Sequence, residues 1–347
     1  MRLASSDVTV LFSTHPAYLE HLAGPRHPER PERLHAVVEG IQWAGADDAI
    51  VRVTPQAATR VDLERVHPAP YLARIEEICA SGGGRLDPDT YASPESWAAG
   101  TLAAGAGLTV VRALQDGQGD VGFCAVRPPG HHATRDESMG FCFISNVAVV
   151  ASSLADAGER VLIFDFDAHH GNGTQAVFEY DPRVLFVSIH QWPLYPGSGR
   201  ADELGYGTAW GTTLNVPLPP NATGDVYLRA FDQLLAPVID RFAPTWVLVS
   251  AGFDAHRDDP ITQLGLAAGD YPLLVQRVFA LVPAGRRLMM LEGGYDLDAL
   301  MYSVGAVMQG LLGIGSTLPA DEHATSGGPG APVVEDIGQL WRELGLL

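Results

Sequence analysis

The feature that most constrains this chain is a set of short, continuously apolar runs, VLIF, VLFVSI, WVLVS and LMML, each followed at once by polar and ionisable residues. A strand with one wetted face alternates apolar and polar side chains, whereas a strand covered by helices on both faces does not. Runs of this kind therefore predict a central parallel sheet. Residues 8–12, 122–126, 161–166, 184–189, 246–250 and 287–291 read as strands, and residues 97–115, 141–157, 225–242 and 270–282 as helices between them. That alternation is the pattern of an α/β fold. No repeat and no linker interrupts residues 1–314, which read as one domain. Residues 315–347 read as a C-terminal extension: a short linker around ATSGGPGAP, then EDIGQLWRELGLL, whose apolar residues recur at helical spacing and predict a packing helix.

Composition narrows the function classes. Hydrophobic residues make up 46% of the chain, but no apolar run approaches the roughly 20 residues of a membrane span. A soluble protein without a membrane partner is expected. Acidic residues outnumber basic ones 41 to 22, for a net charge of -19, which repels a nucleic-acid backbone and disfavours direct DNA or RNA binding. The same charge would attract cationic substrates, although solubility alone accounts for it equally well. Cys79, Cys124 and Cys142 are too few and too scattered for a disulfide framework or a thiolate zinc site. They read as small buried hydrophobes in a reducing compartment. The N-terminal MRLASSDVTVLFST has no basic start with a long apolar stretch, so no export signal is read and a cytoplasmic location is expected.

In parallel α/β sheets functional groups gather beyond the carboxyl ends of the strands. Here one strand end after another delivers such groups: Asp165, Asp167, His169, His170 and Asn172; Ser188 and His190; Asp254 and His256; Glu292 and Tyr295; Arg127, His131 and His132. In extended chain, residues two apart point the same way, so Asp167 and His169 can converge on one metal with Asp165 behind them. If Asp254 faces the same rim, two carboxylates and an imidazole leave an open position for water. Such a set suits zinc, and also iron(II) or another divalent ion. By itself, DxDxH equally fits a strand-end turn with solvated carboxylates. The adjacent His131 and His132, in a loop restricted by Pro128, Pro129 and Gly130, favour the site. Amide hydrolysis needs one imidazole as base and acid and a second as a fixed positive charge. Beside a metal, Tyr295 can donate to the oxyanion of a tetrahedral intermediate; alone, EGGY is simply a turn.

Taken together, RPPGHHA (127–133), GFCFISN (140–146), DFDAHHGNGTQ (165–175), SIHQWPLYPGSG (188–199), SAGFDAH (250–256) and EGGY (292–295), with HPERPERL (27–34), resemble the histone deacetylase family. The resemblance is nearer the class II branch, which has Asn at the place of Asn172 where class I has Asp. It implies the single-domain arginase-deacetylase fold, with an eight-stranded, mainly parallel sheet. It also implies zinc on Asp167, His169 and Asp254, a catalytic pair His131 and His132 oriented by Asp165 and Asn172, and Tyr295 on the oxyanion. The acyl-lysine tunnel would run between Phe141 and Tyr195, the latter in place of a commoner Phe, with Gly140 and Gly294 lining it. Structural potassium would sit near Asp165, Asp167, His169, Ser188 and Ile189, and a second near Phe178, Asp181 and Val184. Arg33 would support the inner end of the pocket, or be a surface loop residue; His170, His190 and His256 would pack around the site.

The implied activity is zinc-dependent hydrolysis of an N-acyl-lysine amide. Asp165 would hold His131 cationic, while neutral Asn172 would leave His132 free as base. A second substrate class is an acetylated polyamine, for which the family's polyamine branch places a glutamate seven residues after the last zinc aspartate. Here that position is Ile261, which rewards no extra ammonium, although Asp258 and Asp259 are adjacent. A manganese ureohydrolase would need more bridging aspartates. A catalytically silent binding module is disfavoured because every matched position is filled. The sequence leaves the oligomeric state open.

Overall fold

The continuously apolar runs become the middle of one sheet. The computed structural model describes residues 8–347; residues 1–7, part of the segment read for an export signal, lie outside the described residues. In chain order the strands are β1 (Val10–Ser13), β2 (Ile50–Arg52), β3 (Gly84–Asp87), β4 (Thr90–Ala92), β5 (Val121–Cys124), β6 (Val161–Asp165), β7 (Val184–Gln191), β8 (Thr213–Leu218), β9 (Trp246–Ala251) and β10 (Arg287–Leu291). Eight of them form one sheet in the order β2-β1-β5-β10-β9-β6-β7-β8, and every neighbouring pair is parallel. The expected mainly parallel sheet is thus wholly parallel, while β3 and β4 make a separate antiparallel hairpin. Every residue of β5, β6, β7 and β9 is buried, as continuous apolar runs require.

The helices are α1 (Glu32–Trp43), α2 (Arg60–Leu63), α3 (Ala69–Ala80), α4 (Ser96–Gln115), α5 (Asn146–Asp156), α6 (Asn172–Phe178), α7 (Gly224–Ala230), α8 (Ala236–Phe242), α9 (Asp270–Phe279), α10 (Leu297–Leu312) and α11 (Ala331–Glu343). Helix contacts group α1, α7, α9 and α10 on one face of the sheet and α4, α5 and α6 on the other, as the right-handed rule for parallel crossovers leads one to expect. Among the places where the chain leaves adjacent strands toward opposite faces are β5 to α5 beside β10 to α10, and β6 to α6 beside β9 to α9. A crevice opens at such switch points, and the candidate site lies there.

Several sequence expectations are corrected. The helix expected over 141–157 begins only at Asn146, because Gly140 and Phe141 both take positive φ (55° and 69°) in the preceding loop. The helix expected over 225–242 is broken by a π-helical turn, Phe231–Leu235, between α7 and α8. The widened turn relieves the clash between the Pro237 ring and the carbonyl four residues before it. Strands β2 and β8, at the two edges of the sheet, escaped the sequence reading; β8 contains Pro217, whose missing N–H is tolerated at an edge.

Helix α4 is, against expectation, long and apolar enough to cross a membrane by length and composition, with a mean hydropathy of 1.3. It is a core helix, 72% buried over that stretch and packed on α5, β5 and β1. Helix α11 buries Val334, Ile337 and Trp341 against β8 and α7, covering the sheet edge. Cys79, Cys124 and Cys142 are all unpaired and buried.

Candidate active site

The ends of β6 and β9 bring Asp167, His169 and Asp254 together. Their ligand atoms lie within 4.8 Å of one another and all three residues are buried. The His169 Nδ1 stands 2.9 Å from Asp254 Oδ2 and 3.1 Å from Asp167 Oδ1. Backbone donors fix the carboxylates: Gly293 N–H donates to Asp167 Oδ2 (2.8 Å), His169 N–H to Asp167 Oδ1 (2.9 Å) and Ala168 N–H to Asp254 Oδ1 (2.8 Å). Gly293 has to lack a side chain, since a Cβ there would come within 2.6 Å of Asp167 Oδ2 and closer still to Asp254 Oδ2. Two buried carboxylates facing one imidazole in a cradle of bare backbone match the donor set of a catalytic zinc centre. Burial works against charge on the His169 ring, but the flanking Asp254 and Asp167 outweigh it and push its pKa up to about 10.

The loop after β5 carries the histidine pair, with ring centroids 4.0 Å apart. Its backbone is braced from β10, where Glu292 Oε2 accepts the N–H groups of Gly130 (2.6 Å) and His131 (3.1 Å). His131 Nδ1 donates to Asp165 Oδ2 at 3.0 Å, and His131 Nε2 lies 3.8 Å from Asp167. His132 Nδ1 donates to Asn172 Oδ1 at 2.7 Å, which leaves its Nε2 unprotonated and available as a base. Burial alone would strip the proton from His131, but Asp167 and Asp165 outweigh it and hold the ring well above its ordinary pKa. In His132, burial and then the charges of His131 and His169 keep the pKa well below the ordinary value. The Asn172 carbonyl favours the protonated ring, contrary to the expectation that a neutral partner cannot favour charge there, but is outweighed.

A cavity of about 250 Å³ leads down to these groups, lined by Asp89, His132, Gly140, Phe141, His169, Leu194, Tyr195, Ile261 and Tyr295. The Phe141 ring meets Tyr295 edge-on at 5.8 Å, and Tyr195 meets His132 edge-on at 5.2 Å, so both rings stand on the cavity wall. Gly140 is held tight, because a Cβ would run into the His132 ring. Gly294 is not among the lining residues; its carbonyl turns away and accepts Arg33 Nε–H at 2.6 Å. Arg33 is fully buried, which overturns the surface-loop alternative. Its guanidinium lies 4.8 Å from the centre of the Tyr295 ring and donates to the Glu292 carbonyl. Burial, against the pull of Arg33, keeps the Tyr295 hydroxyl well above its ordinary pKa and therefore protonated.

The remaining predicted residues divide. Ser188 and Ile189 are buried on β7, Ser188 in register with Asp165. Phe178, Asp181 and Val184 share one turn, in which Asp181 N–H donates to the Phe178 carbonyl (2.9 Å) and the Asp181 carboxylate is tied to Arg183. His170 and His190 hold the loop that carries Tyr195, through Ser198 Oγ (2.8 Å) and the Gly199 carbonyl (3.0 Å). Sequence reasoning missed Asp89, whose hairpin is remote in the chain. It also missed Glu29, which is buried against Arg127 and Arg33 and anchors the start of the histidine loop. A buried acid between two arginines leaves no local signature.

The histone deacetylase domain is matched over residues 27–311. A probable deacetylase of Archaeoglobus fulgidus is 38% identical over 306 residues, covering 86% of this chain and 85% of that protein. The chain belongs to the histone deacetylase family. Other relatives of this deacetylase-family chain include histone deacetylase 10, chloroplastic, of rice (38% identical, 88% of this chain and 74% of the relative). The histone deacetylase-like amidohydrolase of Pseudomonas aeruginosa is 35% identical, with 85% and 80% covered. The crystal structure of the HDA15 HD domain superposes with a TM-score of 0.88 at 33% identity, over 98% of this chain and 96% of that one. Fold and family therefore agree with the histone deacetylase resemblance, and family membership supports hydrolytic deacetylase activity. The family is generally zinc-dependent, in keeping with the grouped Asp167, His169 and Asp254.

Proposed function

We propose that this chain is a zinc-dependent deacetylase that hydrolyses the N-acyl amide of acetyl-lysine, or a similar small acyl-lysine, in a peptide or protein. The observation that carries this reading is the adjacent His131–His132 pair beside the buried Asp167–His169–Asp254 group, at the foot of a cavity walled by Phe141 and Tyr195. Asp167, His169 and Asp254 would hold the zinc, which when bound lowers the pKa of a water and polarises the acyl carbonyl. His132 takes the water proton on Nε2 and later delivers it to the leaving amine. His131, kept protonated by Asp167 and Asp165, supplies a fixed positive charge. Tyr295 donates a hydrogen bond from its hydroxyl to the oxyanion of the tetrahedral intermediate. The apolar walls exclude water from the acyl-lysine stem and orient it.

Potassium at Asp165, Asp167, His169, Ser188 and Ile189, and at Phe178, Asp181 and Val184, belongs to the same proposal, as do the domain limits 1–314 and 315–347 and a cytoplasmic location. The potassium role would be structural.

One observation favours a second reading, acetylpolyamine hydrolysis: Asp89 places a carboxylate on the cavity wall, where it can reward a distal ammonium. Against it, Ile261 lines the cavity, Asp259 is turned into the protein and Asp258 points to solvent. Turnover of an acetyl-lysine peptide and of acetylspermidine by purified enzyme, with and without a chelator, tests both. Chelator-sensitive preference for the peptide is expected; preference for acetylspermidine favours the second reading, and activity that survives complete metal removal overturns both.

A further inference from the structure

The family match ends at residue 311, yet the chain beyond it returns to the catalytic machinery. Between β9 and α9 runs the loop that carries Asp254, Asp259 and Ile261. Its outer side rests on Glu322, a buried residue in the short 3-10 turn Ala320–Glu322. Glu322 Oε2 accepts two hydrogen bonds, from His256 Nε2–H (2.8 Å) and from Ala268 N–H (3.0 Å). Its Oε1 accepts Arg257 Nη2–H at 3.0 Å, and its backbone carbonyl accepts Gly269 N–H at 2.8 Å. The tautomer of His256 is set locally: Nδ1 accepts the Asp258 N–H at 3.2 Å, so the ring proton sits on Nε2, facing Glu322. One carboxylate thus pins the loop near both ends, two residues after Asp254 and at the entry to α9. Thr325, three residues on, secures the extension in turn by donating N–H (2.9 Å) and Oγ1–H (2.8 Å) to Asp270.

We propose that Glu322 is a positioning residue and that the C-terminal extension is a strap across the Asp254 loop. By fixing His256 and Ala268 it keeps Asp254 aimed at Asp167 and His169, Asp259 beneath Tyr295 and Ile261 against the cavity. The inference rests on the reading of Asp254 as a metal ligand. The essential feature is the reach of the Oε2 acceptor, not its charge, because both N–H donors that hold the loop converge on that one oxygen and the arginine uses the other.

Full-length Glu322→Gln, Glu322→Asp and Glu322→Ala separate these possibilities by zinc affinity from chelator competition, by kcat and KM on an acetyl-lysine peptide, and by thermal melting. Glu322→Gln keeps an amide oxygen for both donors and is expected to stay within about threefold of the unsubstituted enzyme in zinc affinity and kcat. Glu322→Asp withdraws the acceptor by one methylene and, like Glu322→Ala, should weaken zinc binding about tenfold or more and lower kcat, as loss of groups behind a metal ligand typically does. If Glu322→Ala does not fold, the Gln and Asp pair still decides. Gln as damaging as Asp means the Arg257 ion pair matters instead and overturns the proposal, as does an Asp variant indistinguishable from the unsubstituted enzyme. Unsubstituted protein that binds no zinc overturns the functional reading beneath it, a failure distinct from that of the strap.

Discussion

The carboxylate of Asp259 accepts the backbone N–H of Tyr295 at 2.7 Å and, with its other oxygen, that of Ile261 at 3.1 Å. One buried side chain thereby ties the loop after β9 to the loop after β10, and so the gate of the cavity to its hydroxyl donor. Asp259→Ala leaves both donors without an acceptor, a loss of ~1–3 kcal/mol for each group left unpaired in the interior. We expect a lower melting temperature and a fall in kcat of about ten- to a hundredfold, with a smaller loss in Asp259→Asn, which keeps one acceptor. Steady-state kinetics and thermal melts check this; an alanine variant with unchanged kcat removes Asp259 from any part in placing Tyr295.

His132 as base and Asn172 as its neutral partner make a prediction about pH. His132→Ala should lose about 10²- to 10⁴-fold in kcat, the usual range for removal of a general acid–base group. Asn172→Asp puts a carboxylate against Nδ1 and raises the His132 pKa. Since the base acts only when unprotonated, the acidic limb of the kcat/KM profile should move to higher pH by about one unit or more. A limb that stays where it was argues against His132 as the titrating base.

Substrate choice should hinge on Ile261, which lines the cavity where a second cationic group would pass. Ile261→Glu should raise kcat/KM for acetylspermidine relative to an acetyl-lysine peptide by about tenfold, since ~1.4 kcal/mol of differential attraction suffices. Competition assays with the two substrates read the ratio directly, and an unaltered ratio denies Ile261 this role.

Acid sensitivity should trace partly to Glu29. Burial would raise its pKa, but Arg127 and His21 outweigh that and hold it well below the ordinary value of 4.5. A carboxyl with a depressed folded pKa adds stability that is complete above its unfolded pKa and lost as pH falls toward the folded one. Denaturant melts should therefore show stability dropping below about pH 4.5, and less steeply in Glu29→Gln. That variant should also be less stable at neutral pH by ~3–5 kcal/mol, the usual cost of breaking a buried ion pair. Identical pH slopes for the two proteins would contradict this account.

The central strands and the parallel sheet were legible in the sequence because each depends on local pattern. Continuous apolar runs mark doubly covered strands, and side chains two apart on a strand end, such as Asp167 and His169, must face the same way. The edge strand β8 was not legible, since Pro217 breaks the pattern that a central strand would show. Nor was the start of α5, where positive φ at Gly140 and Phe141 is imposed by contact with His132 and the hairpin of β3 and β4.

What the sequence by itself determined is the chemistry: which acids, imidazoles and hydroxyl this chain brings to the ends of its strands. What only the tertiary structure decided is how they are held. The protonation of His131 against that of His132, the burial of Arg33 beneath Tyr295, and the grip of Asp259 and Glu322 on the Asp254 loop all join residues distant in the chain. The physical reason is that pKa shifts and hydrogen bonds fall off within a few ångströms of space, while sequence patterns report only neighbours along the chain.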